Sequence, residues 1–292
     1  MMTRKARYDL LYFLVYPPLY LLSMLPYYLS NILIGRLLFF LSYRVFRYRY
    51  NVVLQNLSRA LPLKTYEEVE LLAREFYLHL AGLAVEITRF FSISSREQLK
   101  QVRISNPELL DTYYQQNRNV IAVLGHYGNW ECLNILPMLL PFQVNAIYKP
   151  LSNKIMGKLV HRIRTRFGMR MIPASQALRQ LLKTHEQPQL SLFIADQFPG
   201  LQAKCRVDFM NQSTLMFNGA EKLAIATNSV VIYIDILPLG HNSWRVNFSP
   251  ITEIAPQTSS GQITAAFSKK LQQTISISPA YWLWSHKRWK EN

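Results

Sequence analysis

A histidine and a glutamate lie five residues apart in a short segment that follows an apolar run. The run Val120–Leu124 leads into Gly125, and His126 and Glu131 then follow in the sequence GHYGNWE. On one regular helix, residues five apart would lie roughly 140° apart, so the chain must turn if these two side chains are to meet. Gly128 permits such a turn. A carboxylate that contacts an imidazole fixes its tautomer and stabilises its charged form, as in a general base. From spacing alone, an ordinary loop is an equal alternative.

The same segment predicts a strand, a turn and a helix, in that order. An apolar run bounded by glycines is typical of a buried strand that ends in a tight turn. Asn129 is a reasonable N-cap for the helix that follows. Glu131 would lie in the first helical turn, where a negative charge is favoured. The candidate reactive residues would therefore lie at the carboxyl end of a strand.

Beyond residue 101, short apolar runs alternate with helical patterns, and this alternation predicts an α/β layered domain. Reactive groups cluster at strand ends in such domains. Before it, residues 67–91 have apolar residues at three- and four-residue steps and predict an amphipathic helix that packs on this domain. The expected strands are 119–125, 144–148, 170–173, 189–195, 230–237 and 245–249, and the expected helices include 154–167, 175–184, 218–227 and 262–275.

The first fifty residues have a different composition. Residues 10–35 carry no charged side chain, a length that suffices for one membrane span. Pro17, Pro18 and Pro26 interrupt this stretch, so a single straight helix is not expected. A cleaved signal peptide fits poorly because the apolar region is too long. We expect residues 1–50 to form an uncleaved membrane anchor with a basic flank, and residues 51–292 to form the α/β domain.

The formal net charge is +16, although half of the residues are hydrophobic. This combination favours an acidic partner, either anionic lipid or nucleic acid. No acidic residue occurs between Glu131 and Glu186, while Lys and Arg recur throughout that interval. A solvated helix face explains most of these cations, but the lack of any counter-charge suggests a phosphate-rich ligand or an acidic carrier protein.

The segment GHYGNWE resembles the HxxxxE signature of the late acyltransferases of lipid A biosynthesis, a bacterial branch of the glycerolipid acyltransferase superfamily. Further blocks resemble that family in the right order over residues 49–290. Two positions depart from the family pattern, since Lys149 stands where arginine is usual and Asn211 where glycine is usual. The other blocks are RYNVVLQNLSRALP at 49–62, YKPLSN at 148–153, Arg164 before Phe-Gly, IADQ at 194–197, VDFMN at 207–211 and PAYWLWSHKRWK at 279–290.

The resemblance implies a glycerolipid-acyltransferase-like fold, with a mixed sheet flanked by helices and an N-terminal apolar segment that anchors the protein. It implies transfer of a fatty acyl group from acyl carrier protein to a hydroxyl of a lipid A precursor, at the cytoplasmic face of the bacterial inner membrane. Acyl-CoA is the alternative donor. No cofactor or metal is expected, because His126 and Glu131 have no third ligand at a recognisable spacing.

The resemblance also implies roles for particular residues. His126 would be the general base, and Glu131 would orient it and stabilise the imidazolium ion that forms. Backbone amides of the Gly128–Asn129 turn would stabilise the oxyanion. The aromatic and basic C-terminal block has a composition suited to a membrane interface. The expected substrate-binding residues are Arg164, Asn129, Asp196, Tyr148, Lys149 and Arg162.

Three other interpretations stay open from the sequence. The acceptor could be a lysophospholipid, a glycolipid or an aminolipid. The chain could be a non-catalytic membrane protein that binds anionic lipid through its basic surface, although the His126 and Glu131 pair argues against this. Nucleic-acid binding is the least favoured of the three, since the sequence has no recognisable nucleic-acid module.

Overall fold

The computed structural model describes residues 4–183 and 185–290, and it describes side chains from residue 11 onward. Within these residues the chain forms a seven-stranded sheet, with helices on both faces, and a separate two-stranded hairpin. The predicted fold class, α/β with a mixed sheet flanked by helices, is confirmed.

The strand order in the sheet is β1-β9-β8-β2-β5-β3-β4. Neighbouring strands are parallel except for β8 and β9, which form an antiparallel pair. Strand β2 is therefore central, and it is buried on both sides as its uninterrupted apolar sequence predicts. The strands are β1 Val102–Ile104, β2 Val120–Leu124, β3 Gln143–Tyr148, β4 Arg170–Pro173, β5 Gln189–Ile194, β6 Arg206–Phe209, β7 Gln212–Leu215, β8 Val230–Gly240 and β9 Ser243–Thr252.

All six expected strands are present, as β2, β3, β4, β5, β8 and β9. The sequence did not predict β1, which has only three residues, or the β6–β7 hairpin, whose strands are partly exposed. The turn between β6 and β7 contains Asn211 at φ 61°. Asparagine tolerates this left-handed conformation, so the turn keeps its shape without glycine.

The helices connect the strands and cover the sheet. The expected amphipathic helix 67–91 is present as α4, and it begins with a capping box between Thr65 and Glu68. The expected helix 175–184 is shorter than predicted, and its last residue lies outside the described residues. The helices are α1 Arg4–Ser23, α2 Tyr27–Val45, α3 Tyr50–Ala60, α4 Tyr66–Arg89, α5 Ser95–Gln101, α6 Pro107–Gln115, α7 Leu136–Leu139, α8 Lys154–Thr165, α9 Ala177–Leu181, α10 Gly219–Thr227 and α11 Gln262–Ile277.

Two hydrophobic cores lie on opposite faces of the sheet. Strand β2 alternates between them, because Ile121 and Val123 join one core while Ala122 and Leu124 join the other. Helices α3, α4 and α11 contribute to the first core, and helices α6 and α8 contribute to the second. The carboxyl end of β2, which leads into the loop that follows, is therefore fixed by packing on both faces of the sheet.

The N-terminal helices lie against this domain. Helix α1 runs through Pro17 and Pro18 and ends at Ser23, so the break in the apolar stretch falls just before Pro26. Among the described residues, no single helix is both long enough and apolar enough to cross a membrane. Helices α2 and α3 together have this length and apolarity, and the pair is bent by 84°. The predicted anchor over residues 1–50 stays a prediction, and its first three residues lie outside the described ones.

Candidate active site

His126 meets a carboxylate, and that carboxylate belongs to Asp196. Strands β2 and β5 are parallel neighbours, and Leu124 pairs with Ile194. His126 and Asp196 each lie two residues beyond their strand, so the register brings them together at one edge of the sheet. His126 Nδ1 lies 2.6 Å from Asp196 Oδ1, and the His126 backbone N–H donates to Asp196 Oδ2 at 2.8 Å.

The Asp196 carboxylate is buried and has a third donor. The indole N–H of Trp282 donates to Asp196 Oδ2 at 2.8 Å. Burial alone would raise the pKa of Asp196, but the charge of His126 and the hydrogen bonds from His126 and Trp282 outweigh it and lower this pKa to about 2. Asp196 is therefore an anion at neutral pH, and it can hold the proton of His126 on Nδ1.

The other ring nitrogen of His126, Nε2, has an exposed amide rather than a buried carboxylate as its partner. The His126 side chain is 16% exposed, and Gln197 Nε2 lies 3.3 Å from His126 Nε2. The indole ring of Trp130 packs edge-on against the imidazole, with ring centroids 4.8 Å apart. With Nδ1 bonded to Asp196, Nε2 carries the lone pair, so it can accept a proton from a bound hydroxyl.

The C-terminal segment holds the backbone of the His126 turn. The Leu283 N–H donates to the carbonyl of His126 at 3.0 Å, and Tyr127 forms a β-bridge with Trp282. The Gly128 N–H donates to the carbonyl of Tyr281 at 3.0 Å. The Gly128 amide, expected to stabilise an oxyanion, is thus already engaged in this structural bond.

The tryptophans of the C-terminal block are buried, so their expected place at a membrane interface is wrong. Trp282, Trp284 and Trp289 are at most 9% exposed. The indole N–H of Trp284 donates to the Pro279 carbonyl, and that of Trp289 donates to Thr214 Oγ1. Each indole N–H therefore has an acceptor inside the protein, as buried tryptophans require.

The predicted contact between Glu131 and His126 is wrong. Glu131 is the second residue of the 3₁₀ helix Trp130–Ile135, and its carboxylate forms a bidentate ion pair with Arg164 of α8. Arg164 Nε donates to Glu131 Oε2 at 2.8 Å, and Arg164 Nη2 donates to Glu131 Oε1 at 2.6 Å. The indole N–H of Trp130 also donates to Glu131 Oε1, at 3.1 Å. Glu131 thus fixes the segment that packs against His126.

Arg164 is not open to solvent in the way that a phosphate-binding arginine would be. Its side chain is 18% exposed, and the guanidinium is engaged by Glu131. Burial alone would lower the pKa of Arg164, but the charge and hydrogen bonds of Glu131 outweigh it and raise this pKa. The pair lines one end of a small apolar cleft, together with Leu124 and Ile194.

Asn129, predicted to bind substrate, forms a hydrogen bond within the protein instead of pointing freely toward a ligand. Its side chain is buried and does not cap the helix that follows. Instead Asn129 Nδ2 donates to Glu86 Oε2 of α4 at 2.7 Å, and the indole N–H of Trp244 donates to the same oxygen at 2.8 Å. Burial raises the pKa of Glu86, and these two hydrogen bonds oppose the rise. The sequence analysis missed Glu86, although a carboxylate on the buried side of an amphipathic helix was the signal.

The remaining predicted site residues lie farther from His126. Tyr148 ends β3, on the far side of β5, and Lys149 follows it at the same edge of the sheet. Tyr148 is half-buried and Lys149 is exposed. Arg162 lies on α8, where its guanidinium stands over the ring of Tyr16 at 4.5 Å. Substrate binding by these three residues stays a prediction.

A family model and two curated proteins that match this chain all carry the description of lipid A biosynthesis acyltransferases. A family model described as bacterial lipid A biosynthesis acyltransferase matches residues 2–291. Two curated proteins are each 23% identical to this chain over 255 residues, covering 83% of this chain and 79% of theirs. They are the lipid A biosynthesis palmitoleoyltransferase of Escherichia coli (strain K12) and the lipid A biosynthesis acyltransferase of Shigella flexneri.

A solved structure also aligns with the chain. The crystal structure of the 1-acyl-sn-glycerophosphate (LPA) acyltransferase PlsC from Thermotoga maritima covers 88% of this chain and 99% of its own, with 12% sequence identity and a TM-score of 0.37.

The tautomer of His126 should depend on Asp196. In Asp196→Asn, the amide can donate to Nδ1, which would move the imidazole proton to Nε2. Long-range ¹H–¹⁵N spectra of histidine-labelled protein, compared with His126→Gln to assign the ring, would show this exchange. Asp111→Asn, which changes an exposed aspartate, should leave the spectrum unchanged. An unaltered His126 tautomer in Asp196→Asn would contradict the assigned pairing.

The Glu131–Arg164 pair should contribute to stability as a unit. Arg164→Met leaves a buried carboxylate unpaired and should lower the free energy of unfolding by about 3–5 kcal/mol. Combining it with Glu131→Gln should recover part of this loss, because no charge is then buried alone. Urea unfolding followed by tryptophan fluorescence would measure both. Arg162→Met on the same helix is the control, with an expected loss below about 1 kcal/mol. Equal losses of stability in Arg164→Met and Arg162→Met would refute the ion pair as a stabilising contact.

Glu86 should be replaceable by glutamine but not by leucine. Both N–H donors reach one oxygen of Glu86, and Glu86→Gln keeps an oxygen there. Glu86→Leu leaves Asn129 and Trp244 unpaired, at about 1–3 kcal/mol for each buried donor. Thermal and chemical unfolding would separate the two variants, with Glu67→Leu at the exposed start of α4 as the control. Similar losses in the Gln and Leu variants would show that the hydrogen bonds do not matter.

Proposed function

The chain belongs to the bacterial lipid A biosynthesis acyltransferases, whose family model spans residues 2–291, and so acts in acyl transfer on lipid A or related lipids; from this premise we propose its donor, acceptor group and mechanism. The proposed donor is acyl carrier protein, and the proposed acceptor is a hydroxyl of a lipid A precursor. The reaction would take place at the cytoplasmic face of the bacterial inner membrane.

The observation that carries the proposed mechanism is the His126–Asp196 pair at 2.6 Å. His126 Nε2 removes the proton from the acceptor hydroxyl while the hydroxyl oxygen attacks the thioester carbonyl. Asp196 stabilises the imidazolium that forms, since its carboxylate stays ionised. Asp196 therefore replaces Glu131 in the role that the sequence analysis assigned.

The second half of the reaction uses the same proton. When the tetrahedral intermediate collapses, the carbon–sulfur bond breaks and the thiolate of the carrier leaves. The imidazolium of His126 returns its proton to that sulfur, which restores the neutral ring and releases the ester. The acid–base groups that this cycle needs are those of His126 and Asp196, and no cofactor enters it.

Glu131 and Arg164 act indirectly in this proposal. Their ion pair fixes the 3₁₀ helix that begins at Trp130. The Trp130 ring in turn packs against the imidazole, so the pair restricts the orientation of His126 without touching the reacting atoms. Glu131 and Arg164 are positioning residues in this scheme.

The basic interval of the sequence supports an anionic partner. Helix α8 carries the exposed cations Lys158 and Arg162, whose heads lie over the rings of Tyr12 and Tyr16 of α1. A carrier protein rich in carboxylates or a phosphate-bearing lipid headgroup would be attracted to this region.

Acyl transfer by the purified full-length chain in detergent tests the proposal. With acyl carrier protein as donor and a tetra-acylated lipid A precursor as acceptor, His126→Ala and Asp196→Asn should each lower kcat/KM by at least ~10²-fold, as expected when general-base catalysis is lost. His161→Ala and Asp111→Asn, which alter exposed residues of the same types, are the matched controls.

Two results would overturn parts of the proposal. Transfer by His126→Ala within tenfold of the unaltered chain would remove His126 from the chemistry. Transfer to a lysophospholipid but not to the lipid A precursor would keep the mechanism and replace the acceptor. Acyl-CoA supplied instead of the carrier protein tests the donor in the same assay.

A further inference from the structure

A cavity of about 620 Å³ lies between α2 and the catalytic domain. Its walls come from α2, α4, the tip of the β8–β9 hairpin and the turn Pro279–Tyr281. This volume is within the range of small-molecule binding sites, which is about 300–1,000 Å³. Its described lining does not include His126 or Asp196, so the cavity is separate from the reacting imidazole.

An unpartnered nitrogen of α4 is buried at the cavity wall. His79 lines the cavity, and its Nε2 is buried without a hydrogen-bond partner among the described residues. Burial lowers the pKa of His79 to about 4, although a hydrogen bond to the Gly128 backbone opposes this shift. The ring is therefore neutral at pH 7. Because Nε2 has no partner in the described part of the chain, the bond to Gly128 is made by Nδ1. A bond that favours the charged ring is one in which the ring donates, so the neutral ring has its proton on Nδ1 and its lone pair on Nε2, which is therefore an acceptor.

A second acceptor lies about two turns away on the same face of this helix. Glu86 also lines the cavity, seven residues beyond His79, and its Oε2 accepts from Asn129 and Trp244. Burial raises the pKa of this carboxyl group. Of these two groups, His79 Nε2 is the one without a donor among the residues that the structure describes, and an unmatched buried acceptor costs free energy, so a ligand that brings a hydrogen-bond donor is favoured.

The remaining lining excludes some ligands and favours others. The Trp244 and Tyr281 rings lie on one side of the cavity, and the Tyr281 ring packs 4.6 Å from that of His79. Glu75 and Glu86 share the lining with Arg36, so the lining has side chains of both charge types and favours neither an anionic nor a cationic headgroup. Aromatic faces beside hydrogen-bond acceptors suit a ring that has apolar C–H faces and hydroxyls at its edge.

The cavity is also placed for an amphiphile. Helix α2 forms one wall, and the same helix exposes large apolar side chains, among them Leu33, Leu37 and Phe40. An apolar tail could lie along this surface while a polar head enters the cavity. We propose that the cavity binds the hydroxyl-bearing headgroup of an amphiphile, with His79 and Glu86 as its acceptors. This inference does not depend on acyl transfer, and its test is direct binding.

Glycine variants can close the cavity without disturbing the catalytic turn. Gly82 lines the cavity on α4, and a Cβ built there meets no atom within 4 Å. Gly82→Phe should therefore fold and fill part of the cavity. Gly157 on α8 also has open space around its Cβ and lies outside this cavity, so Gly157→Phe is the matched control.

The probe is n-octyl-β-D-glucoside below its micelle concentration, added to the full chain in a detergent without hydroxyls, such as lauryldimethylamine N-oxide. Saturation-transfer NMR and isothermal titration would report binding. We expect at least tenfold weaker binding in Gly82→Phe and unchanged binding in Gly157→Phe. His79→Phe keeps an aromatic ring but removes the acceptor, and should weaken binding about fivefold, as for one lost hydrogen bond.

Comparison ligands define the chemical class. Octyl sulfate and octyltrimethylammonium should bind at least tenfold more weakly than the glucoside, and stronger binding of either would overturn the hydroxyl assignment. Free glucose should also bind at least tenfold more weakly, and equal binding would overturn the role of a tail. If the unaltered chain and both glycine variants bound the glucoside equally, the cavity would be refuted as the binding site. This conclusion would hold whatever the acyl-transfer assay shows.

Discussion

The buried carboxylate of Asp196 joins three parts of the chain that are distant in sequence. An ion in the protein interior is tolerated only where donors replace the water that it has lost. Asp196 has three such donors, the ring and backbone N–H of His126 and the indole N–H of Trp282. The ends of β2 and β5 and the C-terminal segment must therefore be in register before this carboxylate can be buried as an anion.

The turn after β2 is fixed from three further directions. Glu86 of α4 accepts from Asn129, Arg164 of α8 pairs with Glu131, and the C-terminal segment bonds to the turn through Gly128. A Cβ at Gly128 would also meet Trp244 at 2.8 Å, so the sheet approaches the turn closely. The imidazole is thereby held in place, and in the proposed mechanism this would reduce the reorganisation that a proton transfer requires.

Much of this architecture could be predicted from sequence, but the pairing of its charged groups could not. Apolar runs and glycines located the ends of β2 and β5, so His126 and Asp196 were both candidates. Their contact depends on the register between strands seventy residues apart, and local spacing carries no information about that register. The family resemblance assigned the role of orienting His126 to Glu131 instead, and the turn carries Glu131 away toward α8. Composition also misplaced the C-terminal tryptophans, since indoles suit both a membrane interface and a hydrogen-bonded core.

Glu86 shows what the pattern of apolar residues leaves out. The stripe on α4 predicts which face is buried, and a carboxylate on that face opposes burial unless it binds donors. Its donors come from Asn129 and Trp244, so this carboxyl group connects the turn after β2 to β9. Glu86 also lines the cavity against α2. A ligand there would contact the same side chain that holds Asn129. The N-terminal helices and the turn after β2 are therefore linked through α4 by a hydrogen-bonded carboxyl group as well as by apolar packing.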